Sequence, residues 1–216
     1  MFGKNKIAPI ISKAQDQLAI VEIFLTLQGE GPYVGRPAIF VRLGGCNLQC
    51  KFCDTEFDNY ELLKHDEIIK RIEQVNKYNS NLIVITGGEP LRQNISKLCK
   101  LLIDLGFTIQ IETNGTIFRK LPDQVKIICS PKLINNKNYD ISEELINYVD
   151  AFKFLIAETG PYASLPKLST DKPIYLQAID SYNLVENQKN LAYAVKLALQ
   201  HNYILSLQTH KILNIS

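Results

Sequence analysis

The chain has 216 residues, 46% of them hydrophobic, with a formal net charge of +2. That is enough for one packed domain, and so even a charge balance gives no reason to expect a nucleic-acid partner. Its apolar runs are strand-length, too short to span a bilayer, and the first residues carry no apolar stretch before a small-residue cleavage site. Five cysteines, three of them within eight positions, suit a metal site in a reducing compartment better than a disulfide framework. The expectation is a cytoplasmic protein without a membrane segment.

In chain order, residues 1–17 are polar and weakly patterned, an arm with no assignable role ahead of a single domain over 18–216. Strands are predicted over residues 19–25 and 38–43, followed by a helix over 62–78 with Leu62, Leu63, Ile68, Ile69, Ile72 and Val75 along one stripe. A strand over 82–86 precedes a helix over 95–105. Strands over 107–112 and 125–129 lead into a loop over 132–141, expected to be exposed, and a short helix over 142–149. Strands over 151–156 and 174–177, a helix over 184–199 capped by Asn183, and a strand over 203–207 complete the pattern. Strands alternating with helices predict a parallel α/β sheet, and runs that are apolar almost throughout predict strands covered on both faces.

Directly after the second strand, Cys46, Cys50 and Cys53 are spaced C-x3-C-x2-C. Thiolates hold iron–sulfur clusters, usually four to a cubane. Cys99 sits in a helical pattern and Cys129 ends a strand, and each has the character of a small buried apolar residue, although either is open as a fourth ligand. With three ligands, one iron keeps an open position. Zinc would ask for a fourth Cys or His close by, and His65 lies on the following helix. Polar groups recur just past successive strands: Thr86-Gly87-Gly88-Glu89-Pro90, Glu112-Thr113-Asn114-Gly115, Ser130-Pro131-Lys132, and Gln177 to Asp180. That is where α/β sheets and barrels bind ligands.

The triad, with Phe52 ahead of its last cysteine, resembles the signature of the radical S-adenosylmethionine superfamily. This resemblance implies a 4Fe–4S cluster on Cys46, Cys50 and Cys53 that chelates S-adenosylmethionine and cleaves it to a 5′-deoxyadenosyl radical. It also implies a partial (β/α) barrel. Together with Leu27-Gln28-Gly29-Glu30-Gly31, Gly35-Arg36-Pro37, Cys53-Asp54-Thr55 and Gln208-Thr209-His210-Lys211, the motifs resemble the 7-carboxy-7-deazaguanine synthase family. That family contracts 6-carboxytetrahydropterin to 7-carboxy-7-deazaguanine with loss of ammonia, on a barrel with a reduced set of helices.

Carried over by motif, the resemblance implies that Leu27, Gln28, Gly29, Arg42, Thr86 and Ser216 bind substrate, Ser216 through a terminal carboxylate. Thr55 would hold Mg2+. Phe52, Cys53, Asp54, Gly88, Ser130, Pro131, Lys132, Gln177 and Asp180 would bind S-adenosylmethionine. Glu30, Glu112 and His210 stand at the pocket edge. A guanidinium such as that of Arg42 suits a substrate carboxylate. The family also implies a homodimer and an external electron donor. The chain departs from the family where Ala178-Ile179 follows Gln177 in place of a proline, and in ending on Ser216. Two rivals share the cysteines. A glycyl-radical activase would leave residues 27–31 and the terminal motif unexplained, and an electron-transfer protein would want a fourth cysteine and no glycine pair.

Overall fold

The computed structural model describes residues 5–11, 16–134, 138–166 and 168–215. All eight expected strands form, each within two residues of its expected ends. They are β1 (Gln17–Leu27), β2 (Pro37–Leu43), β4 (Leu82–Gly87), β5 (Thr108–Thr113), β6 (Lys126–Cys129), β9 (Ala151–Ile156), β10 (Ile174–Ala178) and β11 (Ile204–Ser206). With β3 (Glu61–Lys64) they build a nine-stranded sheet in the order β11-β10-β9-β6-β5-β4-β2-β1-β3. From β2 to β11 every pairing is parallel. β1 runs antiparallel to both β2 and β3, so the expectation of a wholly parallel sheet fails at this edge. Only a single 3-10 turn, Gly31–Tyr33, separates β1 from β2, and so short a link can return a strand only antiparallel. With β11 and β3 at opposite ends of the order, the sheet is an open, partial (β/α) barrel.

The helices are α1 (His65–Val75), α2 (Ser96–Asp104), α3 (Glu143–Ile146), α4 (Leu184–His201) and α5 (Thr209–Leu213). Asn183 caps α4 as expected, its Oδ1 accepting from the Val185 and Glu186 amides at 3.0 and 3.1 Å. Two expectations are corrected. The helix predicted from residue 62 starts at His65, because Leu62 and Leu63 pair with Ala19 and Leu18 on the free edge of β1. Leu63 is buried and Leu62 exposed, the alternation of a strand. The Glu67 side chain then accepts from the Lys64 amide at 2.8 Å and starts the helix. The loop expected to be exposed over 132–141 holds a two-stranded ribbon, β7 (Leu133–Ile134) with β8 (Asn138–Tyr139), and the Tyr139 ring packs edge-on against Phe154 and Tyr162.

Strand alternation separates core from site. Ile39, Val41, Ile83, Ile85, Ile109, Ile111, Phe152, Phe154 and Leu176 belong to one buried apolar cluster together with Leu98, Leu102, Ala194 and Leu197 of the helices. The intervening residues point to the other face. Low on that face, Ala38, Leu82 and Val84 close the barrel interior with Tyr33 and Phe40. Above this plug the same alternation brings up Arg42, Thr86, Glu112, Lys153 and Gln177, all lining one cavity.

Candidate active site

The cavity has a volume of about 500 Å³, ample for small-molecule ligands. Cys46, Cys50 and Cys53 all line it. Burial pushes the Cys46 thiol up to about 12 and raises Cys50 and Cys53 as well. Binding iron must therefore displace their protons. Among the described residues no three His, Cys, Asp or Glu side chains converge on a single-ion site. The three thiols nonetheless share one wall and feel one another's charge, the arrangement that a cluster larger than one ion asks for. Cys99 and Cys129 are fully buried in the core, off the cavity wall. The donor set therefore fits a cubane on three cysteines with one iron left open.

The glycine pair supports this wall by a route that the sequence did not suggest. A Cβ on Gly88 would stand 2.0 Å from the Gly45 carbonyl oxygen, and one on Gly87 2.3 Å from that of Leu43. The pair therefore lets the end of β4 meet the backbone of the cysteine loop, in addition to any ligand. Gly88 donates its amide to Leu43 O at 3.0 Å, and Glu89 donates to Gly45 O at 3.0 Å. Glu89 is completely buried. Its carboxylate accepts from the Leu91 amide at 2.9 Å, the Thr113 hydroxyl at 2.8 Å and the Asn114 amide at 2.7 Å. Burial raises its pKa while these donors pull it down. Asn114 reaches the cysteine loop, donating to Cys46 Sγ at 3.9 Å and Asn47 Oδ1 at 3.0 Å.

The expected S-adenosylmethionine residues Phe52, Asp54, Gly88, Ser130, Lys132, Gln177 and Asp180 line the cavity, whereas Pro131 is buried off its wall. Lys132 folds back so that its Nζ donates to the Ser130 carbonyl and hydroxyl oxygens. Phe52 packs edge-on against Tyr162, with centroids 5.3 Å apart. Asp54 and Asp180 are joined by Lys211, whose Nζ lies 3.3 and 2.8 Å from their carboxylates. Burial would raise Asp180, but the hydrogen bond from Lys211 and those from Tyr182 and Asn187 hold it below the usual carboxylate range. Gln177 donates to Glu30 Oε1 at 3.0 Å and accepts from the Ser206 hydroxyl at 3.1 Å.

The expected substrate residues Leu27, Gln28, Gly29, Arg42 and Thr86 stand on the same wall, and Ser216 lies outside the described residues. Arg42 and Thr86 are direct partners across the β2–β4 ladder. The Arg42 guanidinium lies 5.1 Å from the Phe24 ring and forms an ion pair with Glu22 at 3.3 Å. That approach lacks hydrogen-bond geometry, and the Arg42 Nε makes no hydrogen bond among the described residues. Thr55 also lines the cavity, its hydroxyl donating to Asp54 Oδ1 at 3.4 Å. A hydroxyl beside a carboxylate is a hard-oxygen pair suited to Mg2+.

Glu30, Glu112 and His210 all reach the cavity, and the first two meet a residue that the sequence reading missed. Lys153 is buried, with its Nζ between Glu30 Oε2 and Glu112 Oε2. Burial would raise Glu30, but the Lys153 charge and donors from Lys153 and Gln208 hold it at about 2. Burial would lower Lys153, and the two carboxylates raise it instead. A signal was available: Lys153 is the only charge in the apolar run Ala151–Ile156, and a lysine is almost never buried without a partner. Lys211 gave no such signal, since its partners are distant in sequence.

Residues 40–135 match the Radical SAM superfamily. Over all of its length the chain is 45% identical to the 7-carboxy-7-deazaguanine synthase of Rickettsia prowazekii (strain Madrid E), covering 96% of that protein. It is 38% identical to the 7-carboxy-7-deazaguanine synthase of Rhodospirillum rubrum, with 100% of both chains covered. The crystal structure of QueE from Escherichia coli aligns with a TM-score of 0.76 at 29% identity, over 89% of this chain and 94% of that one.

Proposed function

From the chain's membership of the 7-carboxy-7-deazaguanine synthase family, which its full-length identity to curated members establishes, we infer a lyase of 7-deazapurine (queuosine) biosynthesis. It contracts 6-carboxy-5,6,7,8-tetrahydropterin to 7-carboxy-7-deazaguanine with release of ammonia. The observation that carries this reading is the meeting, in one cavity, of the cysteine wall with Arg42, Thr86 and the Gln28–Glu30 turn. When bound, a 4Fe–4S cluster and S-adenosylmethionine supply reductive cleavage of the sulfonium and a radical that abstracts hydrogen from substrate.

The remaining work falls to side chains. Cys46, Cys50 and Cys53 hold the cluster. Arg42 takes the substrate carboxylate, for which its planar fork is shaped, and Thr86 lies beside it. Glu30 and Glu112 offer carboxylate acceptors to the pterin's N–H edge, both held in place by Lys153. The strand-end groups Gly88, Ser130, Lys132, Gln177 and Asp180 orient S-adenosylmethionine, with Phe52 and Asp54 at its adenine. Thr55 supplies a hydroxyl to Mg2+. The α5 segment leans on Gly29 and keeps water from that side of the cavity, Thr209 donating its amide to Gly29 O at 3.0 Å.

The reading extends to a homodimer fed by an external electron donor in the cytoplasm. On α4, Leu184, Leu191, Val195 and Leu199 form one exposed apolar stripe that a second copy would cover. Among the described residues no helix is long and apolar enough to cross a membrane. The test is anaerobic incubation of reconstituted protein with reductant, S-adenosylmethionine and 6-carboxytetrahydropterin. Mass spectrometry should find 7-carboxy-7-deazaguanine, and cleavage of S-adenosylmethionine with no pterin consumed would overturn the assignment.

A further inference from the structure

The cysteine loop between β2 and β3 has no regular secondary structure. It contributes few backbone hydrogen bonds of its own, among them Cys53 to Cys50 O at 3.1 Å and Gly45 to Phe57 O at 2.9 Å. A loop this irregular needs partners from elsewhere to hold three thiols in a fixed array. Residues 5–11, part of the arm to which sequence analysis attached no role, supply them.

Ile7 forms a bridge to Cys46, the Ala8 amide donating to Cys46 O at 2.7 Å. Asn5 is buried and stands on the cavity wall. Its Nδ2 donates to Thr55 O at 2.7 Å and its Oδ1 accepts from the Phe57 amide at 3.1 Å. Its own carbonyl accepts from the Gln49 side chain at 2.9 Å. One primary amide thus spans two backbone groups beyond Cys53, while its main chain holds the residue before Cys50. Two arginines, Arg92 buried and Arg119 half-buried, secure the arm from behind. Arg92 donates to Pro9 O at 2.8 Å and to Gly44 O at 2.9 Å, and Arg119 donates to Ile11 O.

We propose that residues 5–11 are a clasp on the cluster-binding loop, with Asn5 the positioning residue that keeps Cys50 and Cys53 in ligating array and slows loss of the cluster. The inference rests on Cys46, Cys50 and Cys53 being the ligands. Among the described residues the hydrogen bonds of Asn5 go to the loop, to Gln49, Thr55 and Phe57, so its removal should loosen the loop and leave the barrel intact. An aspartate would still accept from the Phe57 amide but would face the Thr55 carbonyl without a donor.

The test compares wild type with Asn5→Ala, Asn5→Asp and Lys6→Ala, each reconstituted with iron and sulfide. Lys6 is an exposed neighbour whose side chain the clasp does not use. Three quantities are read: iron content, the decay of cluster absorbance in air, and the thermal midpoint of the cluster-free protein. Asn5→Ala should lose its cluster about fivefold faster, the scale set by one or two hydrogen bonds. Asn5→Asp should fall between, Lys6→Ala should match wild type, and the cluster-free midpoints should coincide. Decay of Asn5→Ala at the wild-type rate overturns the proposal. A cluster-free midpoint that drops in step with faster decay marks a general structural role and overturns it as well. A wild-type protein that takes up no cluster refutes the ligand assignment itself, and the clasp with it.

Discussion

At the scale of single residues, the buried charges dominate. Removing Lys153 leaves two carboxylates facing each other without a counter-ion. Lys153→Met should destabilise the cluster-free protein by about 3 kcal/mol or more, the usual result of breaking a buried ion pair from one side. Glu30 is held at about 2 against an ordinary 4.5, so its contribution is complete above 4.5 and is lost as pH falls toward 2. Lys153 is raised above an ordinary 10.5, so its contribution is complete below 10.5 and is lost as pH climbs beyond it. The gap between wild-type and Lys153→Met thermal midpoints should therefore be widest near neutrality and narrow as Glu30 protonates. A gap constant down to about pH 3 would show that Glu30 titrates normally. Arg42 has the opposite character, paired only loosely with Glu22 at 3.3 Å and available to an incoming carboxylate. Arg42→Lys keeps the charge and loses the fork, and should raise the pterin KM roughly tenfold or more while iron content stays at the wild-type level. An unchanged KM would put the substrate carboxylate elsewhere.

At the scale of elements, two glycines decide how neighbouring pieces dock. A Cβ at Gly29 would stand 2.1 Å from His210 Nδ1. Gly29→Ala should therefore push α5 outward at a cost of about 1–3 kcal/mol. Hydrogen exchange should show it as faster exchange confined to Thr209–Leu213, and wild-type protection there would mean that the imidazole simply swings aside. Gly88→Ala meets a backbone oxygen, which has no rotamer to change. It should lower iron loading severely, because the cysteine loop must move, while strand content by circular dichroism is kept. Strand β3 shows why element boundaries were harder to read than elements. Leu62 and Leu63 extend the stripe of α1, and only the free edge of β1 turns them into a strand. The ribbon over Leu133–Ile134 and Asn138–Tyr139 escaped for the same reason, since its anchors Phe154 and Tyr162 are distant in sequence.

At the scale of the whole molecule, the exposed stripe on α4 predicts association. Leu191→Asp with Leu199→Asp should convert a dimer to a monomer in sedimentation velocity, and an unchanged mass would mean that another face pairs. The succession of strands, the clustering of Cys46, Cys50 and Cys53, and many of the residues that line the cavity were legible without coordinates. Alternation with period two and a tight cysteine spacing are local properties, written within a dozen residues of chain. Thr86, Glu112 and Gln177 could be nominated because each ends a predicted strand of one parallel sheet, and such ends gather on one rim, whereas Arg42 was pointed to by the family resemblance. What the tertiary structure alone decided were the partners brought together across long separations. Examples are Lys153 between Glu30 and Glu112, Lys211 between Asp54 and Asp180, and Asn5 bridging Thr55 and Phe57. Each is a charge or amide whose cost of burial is met only by a group many residues away. No local pattern records that compensation, and it exists only once the sheet has curled.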